Sequence, residues 1–503
     1  MIASGGVDGT DPLAAFPAVT VTEAVIAAPN ADPARPAVVD AVSGRALTHG
    51  ELADEVMAAA ASLAAQDVRP GTVVGVHLAD GPDFAVALHA VIAAGAIPLP
   101  LRVSAPAVEL ARLLRTSEAE LLITSPPLLD IARDAAGSAG TGRLVCFGDA
   151  FPGPPATGAK PLPKPASPGS RALLACSRGT TRPARIVPLA HAELVAGLVR
   201  IADSGMIGRD DTVLSALPFT GMLVLNGVLN PALRLGATVV ANPGAGRHDL
   251  LRAVQDHQVT VALLTPRLVE MLAYDRVVPR YALRPLRSVV CVGGPLAAET
   301  ARACAARLGC TVRQAYGLTE AAGLTHLNLR AAEEGTLDSV GRGLPGVAWR
   351  VVDATTGIEQ PSYQPGELCV RLPATGTSRP GPVRWSATGD AAFRDDHGRA
   401  YILGRLGEGR PEPPAEPETV LAAHPAVRDA VVAPAPDPEL GLVPYAFAVL
   451  SEPIDVDDLL DYVNDHVPPY RGVVAVHVVD VIPRSGDGQV LRRALLARAG
   501  FPQ

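Results

Sequence analysis

Three stretches of this 503-residue chain carry side chains of the kinds a polyphosphate and a nucleoside require. The first is Ser177-Arg178-Gly179-Thr180-Thr181-Arg182, which follows the apolar run RALLAC. Hydroxyls, backbone N–H groups and guanidinium groups in one tight turn can hold phosphate oxygens. The second is Gln314-Ala315-Tyr316-Gly317-Leu318-Thr319-Glu320, which follows the strand-like TVR. The third pairs Thr388-Gly389-Asp390 with Gly404-Arg405 further on. Together they supply an aromatic face, hydroxyls, two carboxylates and an arginine. An aromatic face stacks on a purine, one carboxylate can hold Mg²⁺, and another can accept hydrogen bonds from ribose hydroxyls. These are the groups an ATP–magnesium complex calls for.

Competing signals are weaker. Gly341, Gly343 and Gly346 spell GxGxxG, but Pro345 interrupts the motif and VAWRVVD follows with strand alternation. A dinucleotide site needs a helix there, so a turn between strands is expected. Ala175-Cys176-Ser177-Arg178-Gly179 approaches a nucleophile elbow, yet the TTRPARIV that follows is not helix-forming. No Lys stands in a Walker P-loop context.

The elements that must position these residues alternate. Glu51–Ala64 has helical spacing, Val73–His77 reads as a strand, Phe84–Ala94 as helix and Leu121–Thr124 as a short apolar strand. Thr212–Leu217, Ala237–Val240, Val259–Leu264 and Ser288–Val292 are further strand-like runs, separated by helical stretches such as His248–His257 and Ala297–Leu308. Such alternation predicts a layered α/β sheet. After about residue 330 the texture turns to strands and turns (VAWRVVD, GELCVRL, RAYILGR), and a final unit of mixed helices and strands follows. The segments PGPPATGAKPLPKPASPGS and GEGRPEPPAEP read as surface connections.

Composition narrows the classes. Charged residues are 19%, hydrophobic residues 48%, and the net charge is −8, so large cores are affordable and a nucleic-acid partner is not expected. The six cysteines form no CxxC pair and suit a reduced, cytoplasmic chain. FAVALHAVIAAGAIPLPL carries His89, Pro98 and Pro100, so it predicts a buried helix and strand rather than a membrane span. Lys160 and Lys164 are the only lysines, both in a Pro-rich connection.

Taken in order, LTHGELADEV, AVIAAGAIPLPL, VTVALLTPRLVEML, LRSVVCVGGPL, RQAYGLTEAAGLTH, SVGRGLPGV, TGDAAFRDDHGRAYILGR and PPYRGVVAVHVVDVIPRS resemble the AMP-forming adenylating enzymes. That superfamily contains acyl-CoA synthetases, firefly-type luciferases and peptide-synthetase adenylation domains, and the middle of the chain is most similar to the 4-coumarate–CoA ligase branch. The resemblance implies a large N-terminal domain over 1–404, with layered α/β subdomains near 1–170 and 171–330 and a small β-rich subdomain near 331–404, and a small mobile α+β C-terminal domain over 405–503. It implies ATP and Mg²⁺. Tyr316 would stack on adenine, Thr319 would touch the α-phosphate, Glu320 would hold magnesium, Asp390 would grip the ribose, and Arg405 would contact the nucleotide and mark a hinge. Thr180, Thr181, Arg185, Gly294, Gln314, Ala315 and Gly317 would complete the nucleotide site. Thr220, Gly221, Met222, Gly293, Gly317 and Ala321 would line the acid pocket.

The chain departs from the family pattern in four places. The phosphate loop SGTTGxPKG reads RGTTRPARI, so Arg182 replaces Gly and Arg185 replaces Lys. The element PFxHxxG reads Pro218-Phe219-Thr220-Gly221-Met222, without its His. The stretch after Gly404-Arg405 reaches Glu416 early, which argues against a normal coenzyme A tunnel. Gln489 stands where the family has its catalytic lysine, and losing one such donor costs about 10²–10³ in rate. The expected activity is ATP-dependent, AMP-forming activation of an aryl or apolar carboxylic acid. Transfer to coenzyme A is disfavoured, and an amine or nitrogen nucleophile is the rival acceptor. The alternative is a degenerate member that binds nucleotide or acyl-adenylate without making it.

Overall fold

The computed structural model describes residues 16–27, 31–148, 167–177, 185–244, 246–329, 336–372, 384–406, 417–437, 441–467, 473–483 and 492–500. Thr180, Thr181, Arg182, Lys160, Lys164, Glu416 and Gln489 lie outside them. The chain divides into two compact units, Met1–Gly404 and Arg405–Gln503.

The first unit is built on a nine-stranded sheet. Its order is Arg342–Gly343, Gly323–Leu327, Thr311–Leu318, Ser288–Cys291, Val261–Leu264, Thr212–Ser215, Thr238–Ala241, Pro36–Asp40 and Ala46–Thr48. The six strands from Thr311–Leu318 to Pro36–Asp40 run parallel. Parallel strands joined by helices are covered on both faces, and Val261–Leu264, Ser288–Cys291 and Thr238–Ala241 are buried at every position. Thr212–Ser215 is where the winding reverses: the next strand in sequence pairs on one side of it, and the one after that on the other. Open α/β sheets bind ligands outside the carboxyl ends of their strands at such a reversal.

A second, parallel sheet of four strands has the order Ile97–Pro100, Val73–His77, Leu121–Thr124, Arg143–Cys146. Thr48 caps the helix His49–Ala65 with a capping box to Glu51, as the sequence LTHGEL demands. The helix Pro82–Ala93 is apolar on nearly every side and correspondingly buried. Inside it, burial pushes His89 down to about 4, so the ring is neutral. Arg171–Cys176 and Ile186–Ala190 form an antiparallel pair, so the next described element after Ser177 is a strand.

A four-stranded antiparallel sheet, Trp349–Val352, Gly366–Leu372, Arg384–Arg394 and Ala400–Arg405, forms the β-rich part. The second unit carries a sheet ordered Val427–Asp437, Gly441–Leu450, Ala475–Val478, with helices Pro417–Ala423, Val456–His466 and Arg492–Arg498. Among the described residues, no helix is long and apolar enough to cross a membrane, and all six cysteines are free thiols.

The GxGxxG stretch opens with the short edge strand Arg342–Gly343 and turns at Pro345–Gly346 into the strand Trp349–Val352, with no helix after it, as its flanks predict. Gly341 has φ +83°, and an added Cβ would lie 2.4 Å from the Leu327 carbonyl oxygen and 2.6 Å from the Asn328 Cα. Both obstacles are backbone. Gly341→Ala is therefore expected to destabilise the first unit by about 2 kcal/mol or more, read as a lower melting temperature in thermal denaturation.

Candidate functional site

The carboxyl ends of the parallel strands converge on one edge. Thr212–Ser215 runs into Pro218–Met222, Ser288–Cys291 into Gly293 and Gly294, and Thr311–Leu318 ends in Tyr316, Gly317 and Leu318. Gly293 has φ +88° and open space where a Cβ would stand, and both Gly293 and Gly294 are exposed. Gly317 is a glycine for a different reason. A Cβ there would come within 2.3 Å of the Gly323 carbonyl oxygen, because the strand Gly323–Leu327 folds back directly on it.

Tyr316 and Asp390 come from different sheets and meet. The Tyr316 hydroxyl donates to Asp390 Oδ2 at 2.5 Å. Asp390 is only 8% exposed. Its backbone N–H donates to Thr388 Oγ1 (3.1 Å), and the Gly389 N–H donates to Glu367 Oε1 (3.0 Å). Gly389 adopts φ +75° at a register shift between Gly366–Leu372 and Arg384–Arg394, which is what turns Asp390 toward the tyrosine. Behind Tyr316 stands His326, ring centroids 6.0 Å apart, and behind His326 stands Trp349 at 4.9 Å, both edge-on. His326 is fully buried, its Nδ1 is 3.0 Å from Thr325 Oγ1, and burial pushes it down to about 3. It serves as a neutral aromatic support for the tyrosine ring.

Thr319, Glu320 and Ala321 occupy the tight turn between these strands, closed by Ala322 N–H to Thr319 O (3.1 Å). Glu320 is exposed at its tip. The turn is braced from below by Asn226, which no motif singled out. The Asn226 amide donates to Leu194 O (2.9 Å) and Ala322 O (2.7 Å), and its oxygen accepts from Asn230 Nδ2 (3.0 Å). Asn226 is completely buried in a π-helical turn, Leu225–Leu229, a rare distortion often found at functional sites. Gly197 faces it so closely that a Cβ would lie 2.6 Å from the Asn226 Nδ2. The signal in the sequence was a pair of asparagines, i and i+4, inside the apolar run MLVLNGVLNPAL; buried amides need partners.

Gln314 and Ala315 are both buried. The Gln314 amide donates to Leu296 O (2.9 Å) and Leu337 O (2.8 Å) and accepts from Leu296 N (3.0 Å). It fixes the Gly293–Leu296 segment beside Tyr316. Arg405 ends the last strand of the β-rich sheet and is exposed.

Thr220 and Gly221 line a small cleft together with Arg102, Glu109, Cys176 and Ser177. Arg102 pairs with Glu109 at 2.9 Å, so the cleft carries an ion pair as well as apolar side chains. Burial pushes the Cys176 thiol up to about 11, which removes it as a nucleophile near neutrality. Ser177 and Arg185, which flank segment 178–184, are joined by Ser177 N–H donating to Arg185 O (2.9 Å). Met222 starts the helical segment behind this wall and is buried.

The chain belongs to the AMP-binding enzyme family, whose profile matches residues 26–378; the profile of the AMP-binding enzyme C-terminal domain matches residues 416–489. A rice (Oryza sativa subsp. japonica) relative named 4-coumarate–CoA ligase-like 9 is 32% identical over 518 aligned residues, covering 96% of this chain and 93% of the relative. The fold is shared with an anthranilate CoA ligase solved in complex with anthranoyl-AMP (TM-score 0.71, 21% identity, 97% and 98% of the two chains covered). It is shared also with an amide bond synthetase from Marinactinospora thermotolerans (TM-score 0.66, 25% identity, 95% and 99% covered).

Asn226→Leu would take away the side-chain partner of the Ala322 carbonyl and of the Asn230 amide, each costing about 1–3 kcal/mol when buried and unpaired, whereas the Leu194 carbonyl keeps its place in the helix His191–Asp203. The expected outcome is a lower unfolding midpoint in urea together with weaker ATP–magnesium binding by calorimetry, since the Glu320 turn loses its brace.

Proposed function

We propose that this enzyme activates an organic carboxylic acid with ATP, forming an acyl-adenylate and releasing pyrophosphate, and passes the acyl group to a second substrate. The observation that carries this reading is the meeting of Tyr316 and Asp390 at the carboxyl edge of the parallel sheet, with Glu320 in the adjoining turn. An ionised carboxylate has about four acceptor sites, which accommodates a phenol and the vicinal hydroxyls of a ribose. Tyr316, held in place by His326, presents its ring to adenine. Thr319 donates to the α-phosphate. Glu320, exposed and acceptor-only when ionised, is the residue that would hold Mg²⁺, which supplies charge neutralisation to the phosphates. Thr180, Thr181 and Arg185 hold the departing pyrophosphate, and Arg405 adds a fixed positive charge. Gly294, Gln314 and Ala315 complete the nucleotide site, and Gly293, Gly317 and Ala321, with Thr220, Gly221 and Met222, shape the acid site. The small residues among them, Gly221, Gly293, Gly317 and Ala321, leave room for a flat aryl or other apolar acid.

The acceptor is the open half of the reaction. Relatives and fold neighbours include enzymes named as CoA ligases and as an amide bond synthetase. The early arrival of Glu416 after Arg405 favours an amine or nitrogen nucleophile over coenzyme A.

Gln489 favours a second reading, in which the chain binds nucleotide or acyl-adenylate without forming it. A neutral amide cannot offset the charge that gathers between carboxylate and α-phosphate, and neither Lys160 nor Lys164 lies in a site motif.

Pyrophosphate release with a panel of aryl and fatty acids separates the two. Turnover supports adenylation; tight ATP binding with no turnover supports the second reading. Gln489→Lys is expected to raise the adenylation rate by roughly 10²-fold. Asp390→Ala is expected to abolish ATP binding in calorimetry, and unchanged affinity would refute the ribose contact.

A further inference from the structure

Asp80 belongs to none of the motifs above. It follows the strand Val73–His77 and precedes the helix Pro82–Ala93. Its carboxylate reaches across to the Phe219 backbone, whose N–H donates to Asp80 Oδ2 at 3.0 Å. The Phe219 ring is fully buried and rests against Phe84, centroids 5.9 Å apart. Backbone and ring of Phe219 are thus gripped by neighbouring residues of one segment. The two residues that follow, Thr220 and Gly221, are the cleft wall, and Gly221 N–H closes the turn on Pro218 O (3.1 Å).

We propose that Asp80 is a positioning residue whose ionisation tightens the Phe219–Gly221 wall and so sets the shape of the acid-binding cleft. The proposal rests on the adenylation reading of that cleft. A bond from N–H to a carboxylate is roughly twice as strong as one to a neutral acceptor, so the grip on Phe219 depends on the charge of Asp80.

That charge changes near neutrality. Burial pushes Asp80 up to about 7, the Phe219 N–H opposes the shift, and the Asp40 carboxylate adds to it. Asp40 ends the strand Pro36–Asp40 and accepts from Val42 N–H (2.9 Å) and Ser43 Oγ (2.5 Å). On the helix that follows, Asp83 is paired with Arg45 at 2.8 Å, and Arg45 lies 3.9 Å from Glu55. No histidine is among the groups acting on Asp80. A raised carboxyl stabilises the fold most below its ordinary value of 3.8 and loses that contribution as pH rises through about 7. Rising pH therefore tightens the turn while costing the fold some stability.

The test uses the full chain labelled with 4-fluorophenylalanine at its eight phenylalanines, the Phe219 resonance being assigned by its loss in Phe219→Leu. Its ¹⁹F shift is expected to titrate with a midpoint near pH 7 in the unsubstituted protein. The midpoint should fall in Asp40→Asn, vanish in Asp80→Asn, and persist in Glu193→Gln, which removes the other buried acid pushed up to about 7, one that accepts from the Ala190 N–H at the start of the helix His191–Asp203. Pyrophosphate-release kcat/KM for the acid should carry a step of roughly threefold to tenfold at the same midpoint, lost in Asp80→Asn, with KM for ATP unchanged. A Phe219 resonance that does not titrate, or that titrates alike in Asp80→Asn, overturns the proposal, as does a kinetic step that survives the substitution. Should Asp80→Asn fail to fold, an unmoved midpoint in Asp40→Asn overturns it instead. Absence of pyrophosphate release by the unsubstituted protein refutes the adenylation reading, and the ¹⁹F titration still decides the role of Asp80.

Discussion

A carboxylate at 8% exposure has to be bonded or it destabilises the fold. Asp390 is bonded by Tyr316, and that contact helps join the nine-stranded sheet to the four-stranded one, beside the backbone bridge between Gly341 and Ala400. The geometry around it follows from the requirement. Gly389 supplies the backbone turn that aims the carboxylate, Glu367 holds the Gly389 N–H, and His326 and Trp349 back the tyrosine ring. Apolar packing seals the joint: Tyr316 and Leu318 lie against Val351, Leu368, Val370 and Ala392. Tyr316 and Asp390 thus belong to the seam between the sheets, and in the proposed reading they are also the two groups that a nucleoside would meet.

The turn bearing Glu320 is held by a different device. Hairpin strands can twist and slide, but Gly317 brings the two strands of this one within van der Waals limits, and Asn226 clamps the turn through Ala322 O. Asn226 reaches that carbonyl because the helix bulges into a π turn at its position, and because Gly197 on the facing helix has no side chain to exclude it. Three features that would each cost stability alone (a helix defect, a buried amide and a glycine inside a helix) become compatible once they are placed together.

Much of the scaffold was legible from pattern. Val73–His77 and Leu121–Thr124 fall where short apolar runs between turn residues place them, since a buried parallel strand is apolar nearly throughout and needs no alternation; the antiparallel strand Arg171–Cys176 was legible in the same way because its middle four residues are all buried. The strand Arg384–Arg394 was not legible. Its middle, Thr388-Gly389-Asp390, reads as a break, and only the register shift against Gly366–Leu372 lets a positive-φ glycine sit inside a strand. The π turn was hidden for a related reason: a one-residue bulge leaves the helical periodicity of MLVLNGVLNPAL almost intact. Tyr316, Glu320 and Asp390 were found as a set because three short motifs recur in a known order, whereas Asn226, Asp80 and the Arg102–Glu109 pair act through contacts between segments far apart in sequence.

The titratable groups sort by how burial and pairing compete. His89 and His191 are pushed down to about 4 and His326 to about 3, so these three buried rings stay neutral across the physiological range and act as packing and hydrogen-bonding groups. Asp211 and Asp395 are held below the usual carboxylate range because hydrogen bonds from Arg287, Thr260 and Gly208, or from Arg399 and His397, outweigh desolvation. Their contribution to stability is present above the ordinary value and is lost in acid. Asp80 and Glu193 fall on the other side. Each is pushed up to about 7 by burial, and the single backbone N–H that opposes the shift, from Phe219 or from Ala190, does not cancel it. Both therefore gain charge on crossing neutrality. Glu193 caps the helix His191–Asp203, which supplies the Leu194 carbonyl to Asn226, and Asp80 holds the cleft wall. Fold stability and site tightness consequently respond to pH with opposite sign in this region, and the groups responsible are two acids that accept backbone N–H groups rather than any histidine.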